Sequence, residues 1–141
     1  MRPTQTPIGL LLAATAKTVS RGFSDALAAA GGTLPTWLVL SSLKGSPHPK
    51  QLELAHAIGI EGPTLTRHLD GLEAKGLVAR RRDPDDRRSV HVELTEAGDR
   101  LFHELRLAAM AFDRRLREGF DEEELAALRA SLAKLGANAG E

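Results

Sequence analysis

The stretch that decides the fold is Arg80-Arg81-Arg82-Asp83-Pro84-Asp85-Asp86-Arg87-Arg88. Proline presets φ and aspartate caps turns, so this stretch predicts a tight acidic turn with a basic cluster on either side. The apolar run Gly76-Leu77-Val78 precedes it, and the alternating run Val90-His91-Val92-Glu93-Leu94 follows it. Two short strands and a turn predict a β-hairpin with a charged tip.

This hairpin would carry five arginines. Like charges crowded on one hairpin destabilise it, so the arginines indicate a partner with many negative charges, such as a phosphate backbone. The alternative is a solvated hairpin whose arginines pair with its own three aspartates. The hairpin alone does not separate these interpretations.

A helix-turn-helix pattern precedes the hairpin. Residues 49–58 predict a short helix with Leu52, Ala55 and Ile58 on one face. The run Gly59-Ile60-Glu61-Gly62 interrupts it, and a second helix is predicted to open at the following proline. Helix, glycine turn and helix is the spacing of a helix-turn-helix.

The second helix is predicted to present a polar outer face. Its leucines recur at helical spacing and must face inward, at Leu65, Leu69 and Leu72. The residues turned outward are then Thr64, Thr66, Arg67, His68 and Gly71. Such a helix can enter a major groove, where Arg67 could donate two hydrogen bonds to a guanine edge and Thr64 could reach a base or a phosphate.

Three segments occur in a fixed order: the helix and apolar run over residues 63–78, the turn over 83–88, and Leu94-Thr95-Glu96-Ala97-Gly98. In this order they resemble the MarR family of winged helix-turn-helix transcription regulators. The most distinctive part is Asp-x-Arg at the wing followed by Leu-Thr-x-x-Gly. The resemblance implies a mainly α fold with a small β-hairpin wing: a winged helix-turn-helix with N- and C-terminal dimerisation helices.

The resemblance and the helical pattern together define the expected DNA contacts. The DNA-binding residues are expected to be Pro63, Thr64, Thr66, Arg67, His68, Arg81, Arg82, Asp86, Arg87 and Arg88. The resemblance implies that Arg88 enters the minor groove and that Asp86 orients the wing arginines, while Arg81, Arg82 and Arg87 are assigned only to phosphate contacts. Asp86 and Arg88 are two residues apart, so they are expected to share a strand face on which the carboxylate holds the guanidinium.

The composition agrees with a small DNA-binding protein. A chain of 141 residues predicts a single domain, with 34–94 as the DNA-binding lobe and 1–33 with 95–141 as a helical dimerisation lobe. The net charge is zero, but residues 44–91 hold nine Lys/Arg against seven Asp/Glu, and residues 92–141 hold seven against eleven. The placement of the arginines, rather than the net charge, therefore supports nucleic-acid binding.

The absence of cysteine excludes disulfides, a thiolate zinc site and a thiol redox switch.

Apolar stripes along the terminal helices predict a two-fold interface. They continue at helical spacing from Leu12 to Leu27 and from Leu125 to Leu135, and in the family the resembling helices form the dimer base. An effector pocket is predicted to be lined by Trp37, Phe23 and Met110, with core packing as the alternative for the tryptophan.

Catalytic chemistry is not predicted. The chain has no nucleophile-elbow, phosphate-loop or metalloprotease pattern, so no enzyme activity, catalytic residue, cofactor or metal is expected. The one alternative metal site would combine His103 with acidic residues of the long helix that follows the hairpin.

The sequence therefore predicts a homodimeric cytoplasmic regulator, with repressor activity expected, on a pseudo-palindromic operator. Its partners would be double-stranded DNA, a second copy of itself and a small-molecule effector that relieves binding, with no membrane. The alternative function is a winged-helix protein-interaction module without DNA binding. That module would need exposed apolar anchors on the outer face of the second helix.

Overall fold

A computed structural model describes residues 5–140 of the chain. It confirms the mainly α fold with a two-stranded antiparallel hairpin. The elements, in chain order, are α1 (Ile8–Ala29), α2 (Leu34–Gly45), α3 (Gln51–Ile58), α4 (Gly62–Ala74), β1 (Val78–Arg82), β2 (Val90–Leu94), α5 (Glu96–Arg117) and α6 (Glu122–Ala139).

The chain forms two compact units, Met1–Ala109 and Met110–Glu141, and the boundary between them falls within α5. The division into a DNA-binding lobe over 34–94 and a dimerisation lobe over 1–33 and 95–141 stays a prediction.

The first unit has an apolar core between its helices and the hairpin. The leucines of α4 that were predicted to face inward are buried there, and α1, α2, β1, β2 and α5 each add at least one buried residue. The fully buried side chains are Leu27, Val39, Leu40, Leu43, Leu54, Leu65, Leu69, Leu105, Val78 and Val92. The inner faces of the two helices of the helix-turn-helix are thus held in position by close apolar packing.

The predicted apolar face of α3 is wrong at one position. Leu52 is 81% exposed, whereas Leu54 and Ala55 are buried and Ile58 packs against the core. At 100° per residue, the last three cluster on one side of the helix and Leu52 lies more than 90° from their centre. Two turns of helix contain too few residues for apolar spacing alone to identify the buried face.

The hairpin pairs in a single antiparallel register from Val78↔Leu94 to Arg82↔Val90. Pro49 and Lys50 extend it on the other edge of β2, where the Pro49 carbonyl accepts a hydrogen bond from the Val92 amide at 3.0 Å. The segment that leads into α3 is therefore tied to the wing.

The threonine and the glycine of the Leu-Thr-x-x-Gly run each make a specific contact at the start of α5. The Thr95 hydroxyl accepts a hydrogen bond from the Gly98 amide at 3.0 Å and donates one to the Gly76 carbonyl at 2.6 Å. Thr95 thereby caps α5 and links it to the turn before β1. A Cβ at position 98 would collide with the Leu77 carbonyl, so only glycine permits this approach.

In the second unit, Asp121 caps α6 in a capping box with Glu124. No residue of α6 is buried.

Over residues 5–140, no single helix is both long and apolar enough to cross a membrane. Helices α1 and α2 reach the required length and apolar composition only together, as a pair bent by 74°.

Candidate nucleic-acid interface

The outer face of α4 is polar. Pro63 and Arg67 are exposed, and Thr64 and His68 are half-buried. The Arg67 guanidinium has no hydrogen-bond or ion-pair partner among residues 5–140. No large apolar side chain of α4 is exposed. The helix therefore presents an unpaired cation and short hydrogen-bonding groups, without the apolar anchors of a protein-binding face.

Thr66 differs from its neighbours because its hydroxyl is already occupied. It donates to the Gly62 carbonyl at 3.0 Å and accepts from Gln51 Nε2 at 2.9 Å. Gln51 thus links the first turn of α3 to the first turns of α4. The sequence did not indicate this residue, since its partner lies 15 positions away. Any contact of Thr66 with DNA must use its remaining lone pair.

Arg80 does not belong to the basic surface that the sequence predicts for the hairpin. Its Nη2 donates to Asp70 Oδ1 at 2.6 Å and to Glu73 Oε1 at 3.0 Å. Its backbone amide also donates to Glu73 Oε2 at 3.2 Å. The hydrogen bond from Arg80 lowers the pKa of Glu73, and the same bond raises the pKa of Arg80.

The next two arginines of β1 have partners at the hairpin itself. Arg81 donates two hydrogen bonds to Glu93 Oε1, at 2.7 and 3.0 Å, from an exposed position. Arg82 donates to the Arg87 carbonyl at 3.2 Å. Neither pairs with an aspartate of the turn, so the alternative in which the arginines neutralise their own turn is wrong for Arg80, Arg81 and Arg82. An exposed ion pair such as that of Arg81 is weak enough to open for a phosphate.

The wing tip carries the two remaining arginines. Arg87 and Arg88 are exposed, and neither guanidinium has a carboxylate partner among the described residues. The prediction that Asp86 holds the Arg88 guanidinium is wrong. Asp86 Oδ1 accepts from the Arg88 backbone amide at 3.1 Å, and its Oδ2 accepts from the Ser89 hydroxyl at 3.0 Å. The reason is that both residues precede β2, so strand alternation does not apply to them.

A histidine ties the turn to the return strand. His91 Nε2 lies 3.1 Å from Asp83 Oδ2, and its Nδ1 lies 3.0 Å from the His48 carbonyl. The His48 carbonyl, and then Asp83, raise the pKa of His91. The Asp85 amide, and then His91, lower the pKa of Asp83. The side chain of His48 in turn approaches Glu93 at 3.3 Å.

Two shallow grooves flank α4. Lys50, Gln51, Thr66 and Arg88 contribute to one, of about 400 Å³, between the starts of α3 and α4 and the wing. The other, of about 430 Å³, lies between the start of α2 and the outer face of α4. The residues of this second groove include Thr33, Thr36, Arg67, His68 and Lys75. Nothing in the sequence indicated that Lys50 and the two threonines line these grooves, because their distance from α4 in the chain hides their proximity in the fold.

The predicted effector residues occupy different environments. Trp37 is half-buried and stacks on Phe102, with ring centroids 5.6 Å apart and planes 7° from parallel. Phe23 packs against the core of the first unit, and Met110 is an exposed residue of the second. Core packing accounts for the tryptophan, and ligand binding by these residues stays a prediction.

Within the described part of the chain, including His103, the His, Asp and Glu side chains form no group of three arranged to hold a metal.

Comparison with known proteins identifies the family. The MarR family model matches residues 33–90, which include the helix-turn-helix and most of the wing. The transcriptional repressor CouR, in a structure bound to a 23-mer DNA duplex, is 30% identical; the match covers 92% of each chain with a TM-score of 0.83. The chain belongs to the MarR family.

Other solved MarR-type structures agree with this assignment. A mutant MarR from E. coli complexed with operator DNA is 28% identical, over 92% of this chain and 93% of that chain, with a TM-score of 0.81. BpsR from Bordetella bronchiseptica is 26% identical, over 92% of this chain and 98% of that chain, with a TM-score of 0.78; its DNA binding is regulated by 6-hydroxynicotinic acid. This MarR-family chain is a DNA-binding transcription regulator with a winged helix, and members of the family are transcription regulators rather than enzymes.

Proposed function

We propose that this MarR-family chain is a homodimeric repressor of a pseudo-palindromic operator. The outer face of α4 enters the major groove of each half-site, and the wing tip enters the adjacent minor groove. In this proposal Pro63, Thr64, Arg67 and His68 face the bases and their flanking phosphates, while Arg88 enters the minor groove and Arg87 contacts the backbone.

The observation that carries this proposal is the separation of the arginines into paired and unpaired groups. Arg80 and Arg81 are neutralised by carboxylates, whereas Arg67, Arg87 and Arg88 have no acidic partner among the described residues. The unpaired guanidinium groups lie on the outer face of α4 and at the wing tip, the two positions that contact DNA in a winged helix. Bulk charge cannot supply the affinity, because the chain is neutral overall.

The groove residues extend the same surface. Lys50 lines a groove with Arg88, and Thr33, Thr36 and Lys75 line another with Arg67. We assign these four additional residues to the phosphates that border the major groove, where lysine and threonine act as donors. Thr66 contributes indirectly, by joining α4 to Gln51.

Exposed apolar surface supports the homodimer. Ile8, Leu10 and Leu11 near the start of α1 are each more than half exposed, and Leu128 and Leu132 of α6 are each 43% exposed. A second copy of the chain would remove these stripes from water, and the two-fold symmetry would match that of a palindromic operator.

The repressor role and its relief by a small molecule rest on the relatives. CouR is described as a repressor, and BpsR is regulated by 6-hydroxynicotinic acid. For this chain we propose an effector that binds near Trp37 and Phe23 and changes the separation of the two α4 helices, so that they no longer match successive half-sites.

Selection of binding sites from random duplex DNA by the purified full chain tests this proposal. Two inverted half-sites with centres about 10 base pairs apart, flanked by A·T-rich steps, are expected. Recovery of sequences without symmetry or preference would contradict it. Binding of a protein partner through α4, without any duplex DNA selected, would favour the alternative interaction module.

A further inference from the structure

We propose that Arg80 is a positioning residue of the DNA-contacting surface: by holding Asp70, it keeps Arg67 unpaired and available to DNA. This inference rests on the proposed function. It gives Arg80, which has no proposed DNA contact, a role in DNA sequence specificity.

The geometry of α4 gives Asp70 two possible partners. Arg67 and Asp70 are three residues apart, so they lie one turn apart on the same face of the helix, at the spacing where opposite charges pair. In the structure, however, Asp70 Oδ1 is bonded to Arg80 Nη2 at 2.6 Å. The Arg67 guanidinium remains without a partner among the described residues.

Arg80 is better placed than Arg67 to bind the Asp70 carboxylate. Its side chain is only 19% exposed, and its guanidinium and backbone amide together make three hydrogen bonds to α4. Arg67 is exposed and would have to immobilise a long side chain to pair with Asp70, which costs conformational entropy. Charge-assisted bonds from a half-buried arginine are stronger than those of an exposed pair.

Glu73 provides an internal control. It accepts two of the bonds from Arg80, at 3.0 and 3.2 Å, so it shares the ion pair and the charge. It lies six residues from Arg67, about 9 Å along the helix axis and 120° around it. Glu73 therefore cannot replace Asp70 as a partner of Arg67, although it carries the same charge.

The test measures binding of the full chain to its selected operator and to random duplex, over a range of salt concentrations. The variants are Arg80→Gln, Asp70→Asn, Glu73→Gln and the two double variants that contain Arg80→Gln. Arg80→Gln should lower the operator-to-random preference by roughly tenfold, as expected for coupled neighbouring residues. Adding Asp70→Asn should restore most of that preference, whereas adding Glu73→Gln should raise affinity for both DNAs without restoring it.

Salt dependence distinguishes positioning from direct contact. If Arg80 makes no phosphate contact, Arg80→Gln should leave the salt slope unchanged, whereas removal of a phosphate contact lowers it by about one. Arg87→Gln, which removes the guanidinium proposed to contact the DNA backbone, is the control for such a contact.

Three results would overturn the inference. The first is an unchanged operator preference in Arg80→Gln. The second is an equal loss of preference with and without Asp70→Asn, and the third is a salt slope lowered by about one. If Arg80→Gln melts below the assay temperature, Arg80→Lys takes its place in the same cycle, and a loss that Asp70→Asn does not reverse would overturn the inference. A wild-type chain that selects no operator would contradict the proposed function instead.

Discussion

The Asp86 carboxylate accepts a hydrogen bond from the backbone amide of Arg88, with Oδ1 3.1 Å from the nitrogen. Its second oxygen accepts from the Ser89 hydroxyl at 3.0 Å. The aspartate therefore fixes the path of the backbone through the wing tip. The Arg88 guanidinium is left free to follow the DNA, while its Cα is held in place.

Asp86→Ala should weaken DNA binding by roughly fivefold, although it removes a negative charge, because a hydrogen bond worth about 1 kcal/mol no longer preorganises the tip. Asp85→Ala is the matched control. Asp85 is exposed, and its carboxylate has no partner among the described residues, so its removal should leave affinity unchanged or raise it. Operator affinity measured by fluorescence anisotropy gives the comparison. Tighter binding by both variants would mean that Asp86 is only a repulsive charge.

Arg67 and Arg87 should affect binding differently, although both are exposed and unpaired. Arg67→Ala is expected to cost about 1–3 kcal/mol on the operator and to relax preference at one base pair in each half-site. Arg87→Ala should weaken binding to all sequences and lower the salt slope by about one. Competition binding with operator and random duplex measures both effects. An equal loss on the two DNAs in Arg67→Ala would remove this residue from the major groove.

Wing stability should fall as the pH rises through the raised pKa of His91. The folded chain raises the pKa of His91 above its ordinary value of 6.5. The contribution of protonated His91 is therefore fully present below pH 6.5 and is lost as the pH rises through the raised value. Asp83 stays ionised in this window, because its pKa is lowered from 3.8. Nearby Lys50 opposes the shift of His91 but does not reverse it.

NMR titration of the imidazole checks this prediction directly. In Asp83→Asn the pKa of His91 should move down towards its ordinary value, and operator affinity between pH 6 and 8 should become less dependent on pH. The His48 contact is to a backbone carbonyl, so a substitution at His48 should leave that contribution in place. An unchanged His91 pKa in Asp83→Asn would contradict the proposed link between turn and strand.

The leucines of α6 should be required for dimerisation. Leu128 and Leu132 lie one turn apart and are half-exposed in the single chain. Burying such side chains is worth roughly 1.5–3 kcal/mol each, so Leu128→Glu with Leu132→Glu should shift sedimentation from dimer to monomer. Arg129→Glu, an exposed neighbour of the stripe, is the control for added charge and should remain dimeric. A stable wild-type monomer at micromolar concentration would contradict the homodimer.

The elements of this fold could be predicted from the sequence, because their signals are local. Thr95 and Asp121 cap helices through amides only three residues away. The acidic Asp-Pro turn and the alternation of β2 likewise act over a few residues. The order of helix, wing and Leu-Thr-x-x-Gly was distinctive enough to indicate the MarR family, which the comparisons confirm.

The partners of the charged side chains were decided only by the tertiary structure. Five arginines look equivalent in the sequence, yet packing of β1 beside α4 gives Arg80 two carboxylates and leaves Arg88 with none among the described residues. Leu52 is exposed because the two short turns of α3 pack through another face. Local spacing fixes where helices and strands begin and end, whereas the partner of a long side chain depends on which elements lie beside it, and that proximity is created only when the core closes.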